Sequence, residues 1–101
     1  MAIKTLIQQY RGNITYDTLT HLDFSLTTDE VIDELKEDLM QVEFDNNTLL
    51  DIGWYPEFNA QGQFTIQVIK DYNWEVPLFK AHCKTLEAIE NTLIKALPHC
   101  Q

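Results

Sequence analysis

Basic residues, cysteines and long apolar runs are all scarce in this sequence. Its 101 residues include 7 Lys and Arg against 16 Asp and Glu, which gives a formal net charge of −9. A nucleic-acid-binding surface needs clustered basic side chains to neutralise phosphates, and an anionic membrane surface repels an acidic chain. The composition therefore argues against nucleic acids and membrane surfaces as ligands.

Membrane spans and targeting signals are also missing from the sequence. No apolar stretch approaches the ~20 residues of a membrane-spanning helix, and Gln8, Gln9 and Arg11 follow too early for a secretory signal. We therefore expect a cytoplasmic protein. Gly and Pro number only 3 each, and no repeat or linker interrupts the chain. The length suits one hydrophobic core, so we expect a single domain over residues 1–101.

The 2 cysteines each follow a histidine, as His82-Cys83 and His99-Cys100, a pattern that suggests a disulfide or a metal site. The segment between them is predicted to be a helix of about 12 residues, whose ends lie about 18 Å apart. A disulfide requires Cα atoms within about 7 Å, and a zinc site is similarly compact. We therefore expect free thiols and neither a metal ion nor another cofactor.

Apolar residues recurring at helical spacing predict three helices. The first covers about residues 3–10, and the last covers about residues 85–97, between a Thr cap and a Pro. The second is predicted over residues 27–43, because Thr27 and Glu30 fit a capping box. An apolar stripe follows that box, and its members are Val31, Leu35, Leu39 and Val42.

Alternating apolar residues predict three antiparallel strands between the second and third helices, over about residues 50–55, 64–68 and 74–83. Pro77 marks the third as an edge or bulged strand. The residues expected on the buried sheet face are Leu50, Ile52, Trp54, Phe64, Ile66 and Val68. Alternation at Leu22, Phe24 and Leu26 suggests a short strand or extended arm within residues 14–26. We therefore expect an α+β fold, a three-stranded antiparallel β-meander packed against two or three helices.

The acidic residues are concentrated in the first part of the chain. Of the 16, twelve lie between Asp17 and Glu57, where Lys36 is the single basic residue. On the predicted second helix they form two rows spaced i, i+4, namely Asp29, Asp33, Glu37 and Glu30, Glu34, Asp38. Like charges at this spacing destabilise a helix by roughly 0.2–0.5 kcal/mol per pair. The rows either keep an acidic protein in solution or bind a basic partner, and both interpretations stay open.

Eight residues are predicted to contact such a partner. Six are the acidic residues Asp29, Glu30, Asp33, Glu34, Glu37 and Asp38, and two are the aromatic residues Tyr72 and Trp74. Carboxylates would steer association with a basic protein, and aromatic side chains often dominate the binding energy of an interface.

Motifs of catalytic sites are absent from the sequence. It contains no Gly-rich phosphate loop, nucleophile elbow or metalloprotease helix. Asp51 and Glu57 flank Gly-Trp-Tyr-Pro, but Asp51 is expected on the strand face opposite Trp54, with no histidine nearby in sequence. We interpret both carboxylates as structural. The sequence therefore predicts no catalytic and no cofactor-binding residue, and hence a protein that is not an enzyme.

One family resemblance begins at Asp51-Ile52-Gly53-Trp54-Tyr55-Pro56-Glu57 and continues with Gly62, Val68-Ile69-Lys70-Asp71 and Trp74-Glu75-Val76-Pro77-Leu78. With Glu37–Val42 upstream, these segments span about residues 29–80. They resemble the small bacterial immunity proteins of polymorphic toxin and contact-dependent growth inhibition systems. The resemblance implies a non-enzymatic cytoplasmic protein that binds and blocks a cognate toxin domain. It carries over no toxin-contacting residue, because those vary with the toxin.

The leading hypothesis is therefore an inhibitor of a basic nuclease toxin, which occludes the substrate groove sterically and electrostatically. The alternative is an acidic regulatory module that binds another basic protein. The order helix, three strands, helix also occurs in double-stranded-RNA-binding domains, but the neutral charge balance from residue 58 onward argues against that function.

Overall fold

The computed structural model describes residues 3–101 and contains a five-stranded antiparallel sheet. Its strands follow one another across the sheet in chain order, as a meander. The elements are α1 (Ile3–Gln9), β1 (Asn13–Asp17), β2 (Met40–Phe44), β3 (Thr48–Tyr55), β4 (Gln63–Lys70), β5 (Phe79–Cys83) and α2 (Leu86–Ala96). Short 3₁₀ turns cover Leu19–His21, Ile32–Glu34 and Leu97–Cys100.

One face of the sheet forms the hydrophobic core with both helices. Leu50, Ile52 and Trp54 alternate along β3 on this face and are buried, as predicted. The ring of Trp54 meets that of Phe64 edge to face, with centroids 4.8 Å apart. The helix residues of the same core are Ile3, Ile7, Leu86, Ile89, Leu93 and Ala96. The Thr85 cap of α2 is also confirmed, because its Oγ1 accepts a hydrogen bond from the Ala88 amide.

The prediction of an α+β fold with an antiparallel meander is confirmed, and the strand count of three is wrong. The structure has five strands and two helices. The additional strands are β1 and β2, and β2 lies inside the segment predicted to be the second helix. In β2 the residues Met40, Val42 and Phe44 are buried while Gln41 and Glu43 alternate with them. That period of two is the signature of a strand.

The helix predicted over residues 27–43 does not form. Its capping box exists, since Glu30 Oε1 accepts from the Thr27 amide at 2.9 Å and Thr27 Oγ1 accepts from the Glu30 amide at 3.3 Å. The chain then makes only one short 3₁₀ turn. Farther along, its backbone bonds to other segments: the Leu39 amide donates to Ile52 O, and Lys36 O accepts from the Trp54 amide. The like-charge rows also disfavour a helix here.

Two further segments differ from their predictions. The alternation at Leu22, Phe24 and Leu26 does not mark a strand, and the strand of this region is β1, with a register irregularity between Ile14 and Tyr16. The last strand begins at Phe79 rather than Trp74, because residues 71–78 form an exposed loop. Trp74 in this loop is 44% exposed.

Candidate functional site

The sheet face opposite the helices carries a row of polar side chains, and we call it the polar face. Because strand partners share a face, the registers place five residues in one line across the strands β1 to β5. These are Tyr16, Gln41, Asp51, Gln67 and Lys80. The next line contains Thr65 and His82, where Thr65 Oγ1 lies 3.0 Å from His82 Nδ1.

Asp51 lies at the centre of the polar face and is only 3% exposed. Gln41 Nε2 donates a hydrogen bond to Asp51 Oδ1 at 3.1 Å. Burial raises the pKa of this carboxyl above its ordinary value of 3.8, hydrogen bonds from Gln41 and Gln67 counteract the shift, and the Asp38 charge adds to it. Asp51 is therefore a carboxylate held in an unfavourable environment, with another negative charge nearby.

Asp38 lies beside the polar face because the segment before β2 continues along β3 in an irregular conformation. The Trp54 amide donates to Lys36 O at 2.8 Å, and the Leu39 amide donates to Ile52 O at 3.0 Å. Between these two bonds, Glu37 and Asp38 form a bulge beside β3. Because each of the two side chains is exposed, the bulge presents two carboxylates to solvent.

Gly53 allows the bulge to lie this close to the sheet. A Cβ atom at this position would lie 1.8 Å from the Glu37 carbonyl oxygen, far inside van der Waals contact. Only glycine fits, because the obstacle is backbone rather than a movable side chain. The glycine of the Gly-Trp-Tyr-Pro segment therefore has a structural role in positioning the acidic bulge.

Tyrosine side chains border these carboxylates. Burial raises the pKa of the Tyr55 hydroxyl, and the charges of Asp51, Asp38 and Glu37 raise it further. Tyr16, Asp38 and Gln41 line a half-open surface depression of about 200 Å³ beside these carboxylates. We call the six residues of this region the acidic cleft: Tyr16, Glu37, Asp38, Gln41, Asp51 and Tyr55.

No cation neutralises the cleft in the described part of the chain. Within residues 3–101, the one ion pair joins Lys4 Nζ to Asp17 Oδ2 at 3.8 Å. The carboxylates of Glu37, Asp38 and Asp51 therefore have no lysine, arginine or histidine nitrogen within 4.0 Å. A positively charged ligand would meet little competition from the chain itself.

The acidic residues predicted to contact a partner are all exposed, but they lie on no helix. Asp29 and Glu30 belong to the turn after Thr27, whereas Asp33 and Glu34 belong to the 3₁₀ turn Ile32–Glu34. Glu37 and Asp38 are the two that join the acidic cleft. The six residues predicted on one helix face therefore lie in three separate segments. That any of them contacts a partner stays a prediction.

The two predicted aromatic residues lie at the other end of the sheet. Tyr72 is 67% exposed and lines a cavity of about 320 Å³ with Glu43, Asp45 and other residues near the β2–β3 turn. That turn adjoins the start of β3, whereas Asp51 of the acidic cleft lies three residues further along the strand, about 10 Å away at roughly 3.3 Å per residue, and the depression lined by Tyr16, Asp38 and Gln41 contains neither aromatic residue. Neither Tyr72 nor Trp74 therefore belongs to the cleft.

Four cleft residues escaped the sequence analysis as candidates for binding: Tyr16, Gln41, Asp51 and Tyr55. Gln41 was assigned to a helix, and Asp51 was interpreted as structural. The signal that could have found them is the alternation of Met40–Phe44, which requires a strand beside β3 and places Gln41 and Asp51 on one face.

The histidine–cysteine pairs have separate structural environments. Cys83 and Cys100 are free thiols, and burial raises the pKa of Cys100 to about 12. The rings of His99 and Phe79 pack with centroids 5.2 Å apart. Within residues 3–101 no three His, Cys, Asp or Glu side chains are grouped to hold a metal ion, and no helix there is long and apolar enough to cross a membrane.

Comparison with known proteins identifies no relative of this chain. No protein-family model matches the chain, and neither a curated protein nor a solved structure does. The function therefore has to be argued from the residues and geometry described above.

Proposed function

We propose that the protein is a non-enzymatic inhibitor that binds a basic bacterial toxin domain in the cytoplasm and blocks it. The observation that carries the proposal is an acidic surface without internal neutralisation. Twelve acidic residues lie between Asp17 and Glu57, and within residues 3–101 only Asp17 has a cationic partner. A surface of mixed charges would stabilise the folded protein more than this one does, because like charges repel one another. A basic partner would supply the missing cations.

A nuclease is the toxin class that this surface suits best. A nuclease must present lysine and arginine side chains to the phosphates of its substrate. Carboxylates on an inhibitor can occupy the same cationic positions, so that the groove is closed to nucleic acid without any chemical step. The resemblance of residues 29–80 to immunity proteins implies a toxin domain as the partner, and the acidic charge is what favours a nuclease among toxins.

The electrostatic part of the mechanism acts mainly on association. Opposite charges accelerate encounter and exclude wrong partners, and they add less to the affinity of the final complex. The final affinity then requires packed contacts, for which the exposed aromatic side chains of Tyr72 and Trp74 are available.

The test first asks whether a neighbouring gene encodes a secreted protein with a basic C-terminal domain, and then uses that domain. We expect cells that express this domain to survive only when they also express the inhibitor, and the purified pair to form a stable complex without nuclease activity. A complex that leaves nuclease activity intact would support the regulatory alternative instead. Unprotected cells and the absence of a complex would contradict the proposal, provided that the inhibitor is folded and abundant.

A further inference from the structure

We propose that the edge strand β5 pairs antiparallel with β5 of a second copy of this chain, so that two five-stranded sheets join into one sheet of ten strands. β5 (Phe79–Cys83) is the last strand of the sheet, and within residues 3–101 its one strand partner is β4. The backbone amide and carbonyl groups on its outer side are therefore free to bond to another strand. Pairing about a two-fold axis satisfies these groups in both copies at once.

The register of β5 allows the strand to pair with itself. With the two-fold axis at Ala81, Phe79 of each copy lies opposite Cys83 of the other, and Lys80 lies opposite His82. Phe79 and Cys83 are half-buried and pack against the hydrophobic core, so the second copy extends this core across the new strand pair. Lys80 and His82 are exposed, and this register brings no two lysines together.

The distribution of charge permits two acidic chains to meet at β5. Acidic and basic residues balance from residue 58 onward, whereas twelve of the 16 acidic residues lie between Asp17 and Glu57. Of the strands in that acidic segment, β3 is the nearest to β5. In the joined sheet, β3 of one copy is five strand spacings from β3 of the other, about 24 Å at roughly 4.8 Å per spacing. This exceeds the screening length of about 8 Å in physiological salt, so the two acidic segments repel each other only weakly.

The other edge strand, β1, is less suited to such pairing. Its register is irregular between Ile14 and Tyr16, and irregularities of this kind bend a strand and disfavour edge pairing. Pairing at β1 would also bring the acidic segments of the two copies together. A strand from a basic protein does not suit β5 either, because Lys80 and Lys84 would repel it.

Exposed apolar side chains lie directly before β5. Val76 is 67% exposed and Leu78 is 46% exposed. The Leu78 amide donates to Val68 O at 2.8 Å, so this residue continues the line of β5 along β4. The proposed register places Leu78 opposite Lys84 of the second copy, whose aliphatic stem can cover the leucine. Apolar side chains grouped on a surface are typical of an interaction site, and here they adjoin the free edge.

Sedimentation equilibrium of the full-length protein over a range of concentrations measures the association. We expect a reversible equilibrium between one chain and two. Isotope-filtered NMR on a mixture of labelled and unlabelled protein then identifies the interface, with contacts expected between Phe79 of one copy and Cys83 of the other. A single chain at every concentration up to about 1 mM, or contacts between copies that exclude β5, would overturn the proposal.

Two substitutions of His82 test the register, because both remove the contact with Thr65 Oγ1 and differ only in charge. His82→Glu places a carboxylate opposite Lys80 of the second copy and should tighten the dimer about fivefold, whereas His82→Lys should weaken it by a similar factor. Net charge alone predicts the opposite order, since His82→Glu makes an acidic chain more acidic. The matched controls are Asn91→Glu and Asn91→Lys, at an exposed position on α2, and they should follow net charge with small effects. Any other order of the two His82 variants contradicts the register.

The pairing does not depend on the proposed function, and the experiments separate the two. If the protein dimerises through β5 but does not protect cells from a toxin domain, the inference stands without the proposed function. If the free protein is a single chain and the toxin domain slows hydrogen exchange of the β5 amides, the edge binds the toxin and the inference fails.

Discussion

The carbonyl oxygen of Glu37 lies only 1.8 Å from the position that a Cβ atom on residue 53 would occupy if this residue were not glycine. Glu37 and its neighbour Asp38 bulge over the polar face between two hydrogen bonds to β3, Trp54 N to Lys36 O and Leu39 N to Ile52 O. A residue without a side chain thus sets how close the segment that carries Asp38 comes to Asp51, whose pKa the Asp38 charge raises. This contact connects the fold to the acidic cleft.

Replacing Gly53 with alanine should therefore disturb both stability and the cleft. Overpacking of this kind costs about 1–3 kcal/mol, and chemical denaturation of Gly53→Ala should show a loss at the upper end of that range. The matched control is Glu37→Ala, which removes the side chain but leaves the carbonyl. Glu37→Ala alone should change the free energy of unfolding little. Combined with Gly53→Ala, it should not restore the lost stability, because the obstacle is the backbone carbonyl of residue 37 and not its side chain. A fully stable Gly53→Ala would show that the bulge can move away freely.

The helical residues and the central strands could be predicted from the sequence because their patterns had one interpretation. In α2, Leu86, Ile89 and Leu93 recur at helical spacing behind a Thr85 cap, and all three are buried. On β3 and β4, alternation identified the core face. These patterns depend on neighbours within one element, which the sequence displays directly.

The helix over residues 27–43 was predicted wrongly because the apolar pattern of this segment has two interpretations. Val31, Leu35 and Leu39 are buried, although the chain forms no α-helix there. Their helical spacing therefore predicted burial correctly and conformation wrongly. The deciding contacts are with residues far along the chain, such as Ile52 and Trp54. The cleft depends on this conformation, so its carboxylates were predicted in part and its arrangement was not.

The Asp51→Asn substitution should raise the free energy of unfolding at neutral pH. In the folded protein, burial raises the pKa of Asp51, with Asp38 adding to the shift, so the folded state holds this proton more tightly than the unfolded state. The wild-type protein therefore gains stability from this group as the pH falls through the raised pKa towards 3.8. The variant lacks that gain, and the difference between the two proteins should shrink in acid.

Thermal unfolding of both proteins at neutral and acidic pH measures this difference. Asp45→Asn is the matched control, because it removes an exposed carboxylate from the β2–β3 turn. A lower melting temperature of Asp51→Asn at neutral pH would mean that the ionised carboxylate is favourable in the folded protein.

Tyr72 tests whether an exposed aromatic residue is kept for binding at the expense of stability. Its φ of 59° is in the left-handed region, where a residue other than glycine loses roughly 1–2 kcal/mol. Tyr72→Gly should therefore unfold at a similar or higher temperature, although glycine also increases the entropy of the unfolded chain. Trp74→Gly removes a neighbouring aromatic ring without this relief, so it should be the less stable of the two variants. The reverse order would indicate that the Tyr72 ring stabilises the fold.

A pair of charge reversals distinguishes the cleft from the remainder of the acidic surface. One variant combines Asp33→Lys with Glu34→Lys, and the other combines Glu37→Lys with Asp38→Lys, so each changes the net charge by the same amount. All four side chains are exposed and none lies in an α-helix, so we expect stability changes within about 0.5 kcal/mol for both. Association with a basic toxin domain should slow in both variants, because long-range attraction depends on total charge.

Dissociation should then separate the two variants. Only the Glu37/Asp38 variant should also dissociate faster, because close contacts determine how long a complex persists, and its loss of affinity should remain at high salt, where exposed charges are screened. Surface plasmon resonance at two salt concentrations gives both rates. Equal dissociation rates for the two variants would place the docking contacts outside the cleft and favour the loop that contains Tyr72 and Trp74.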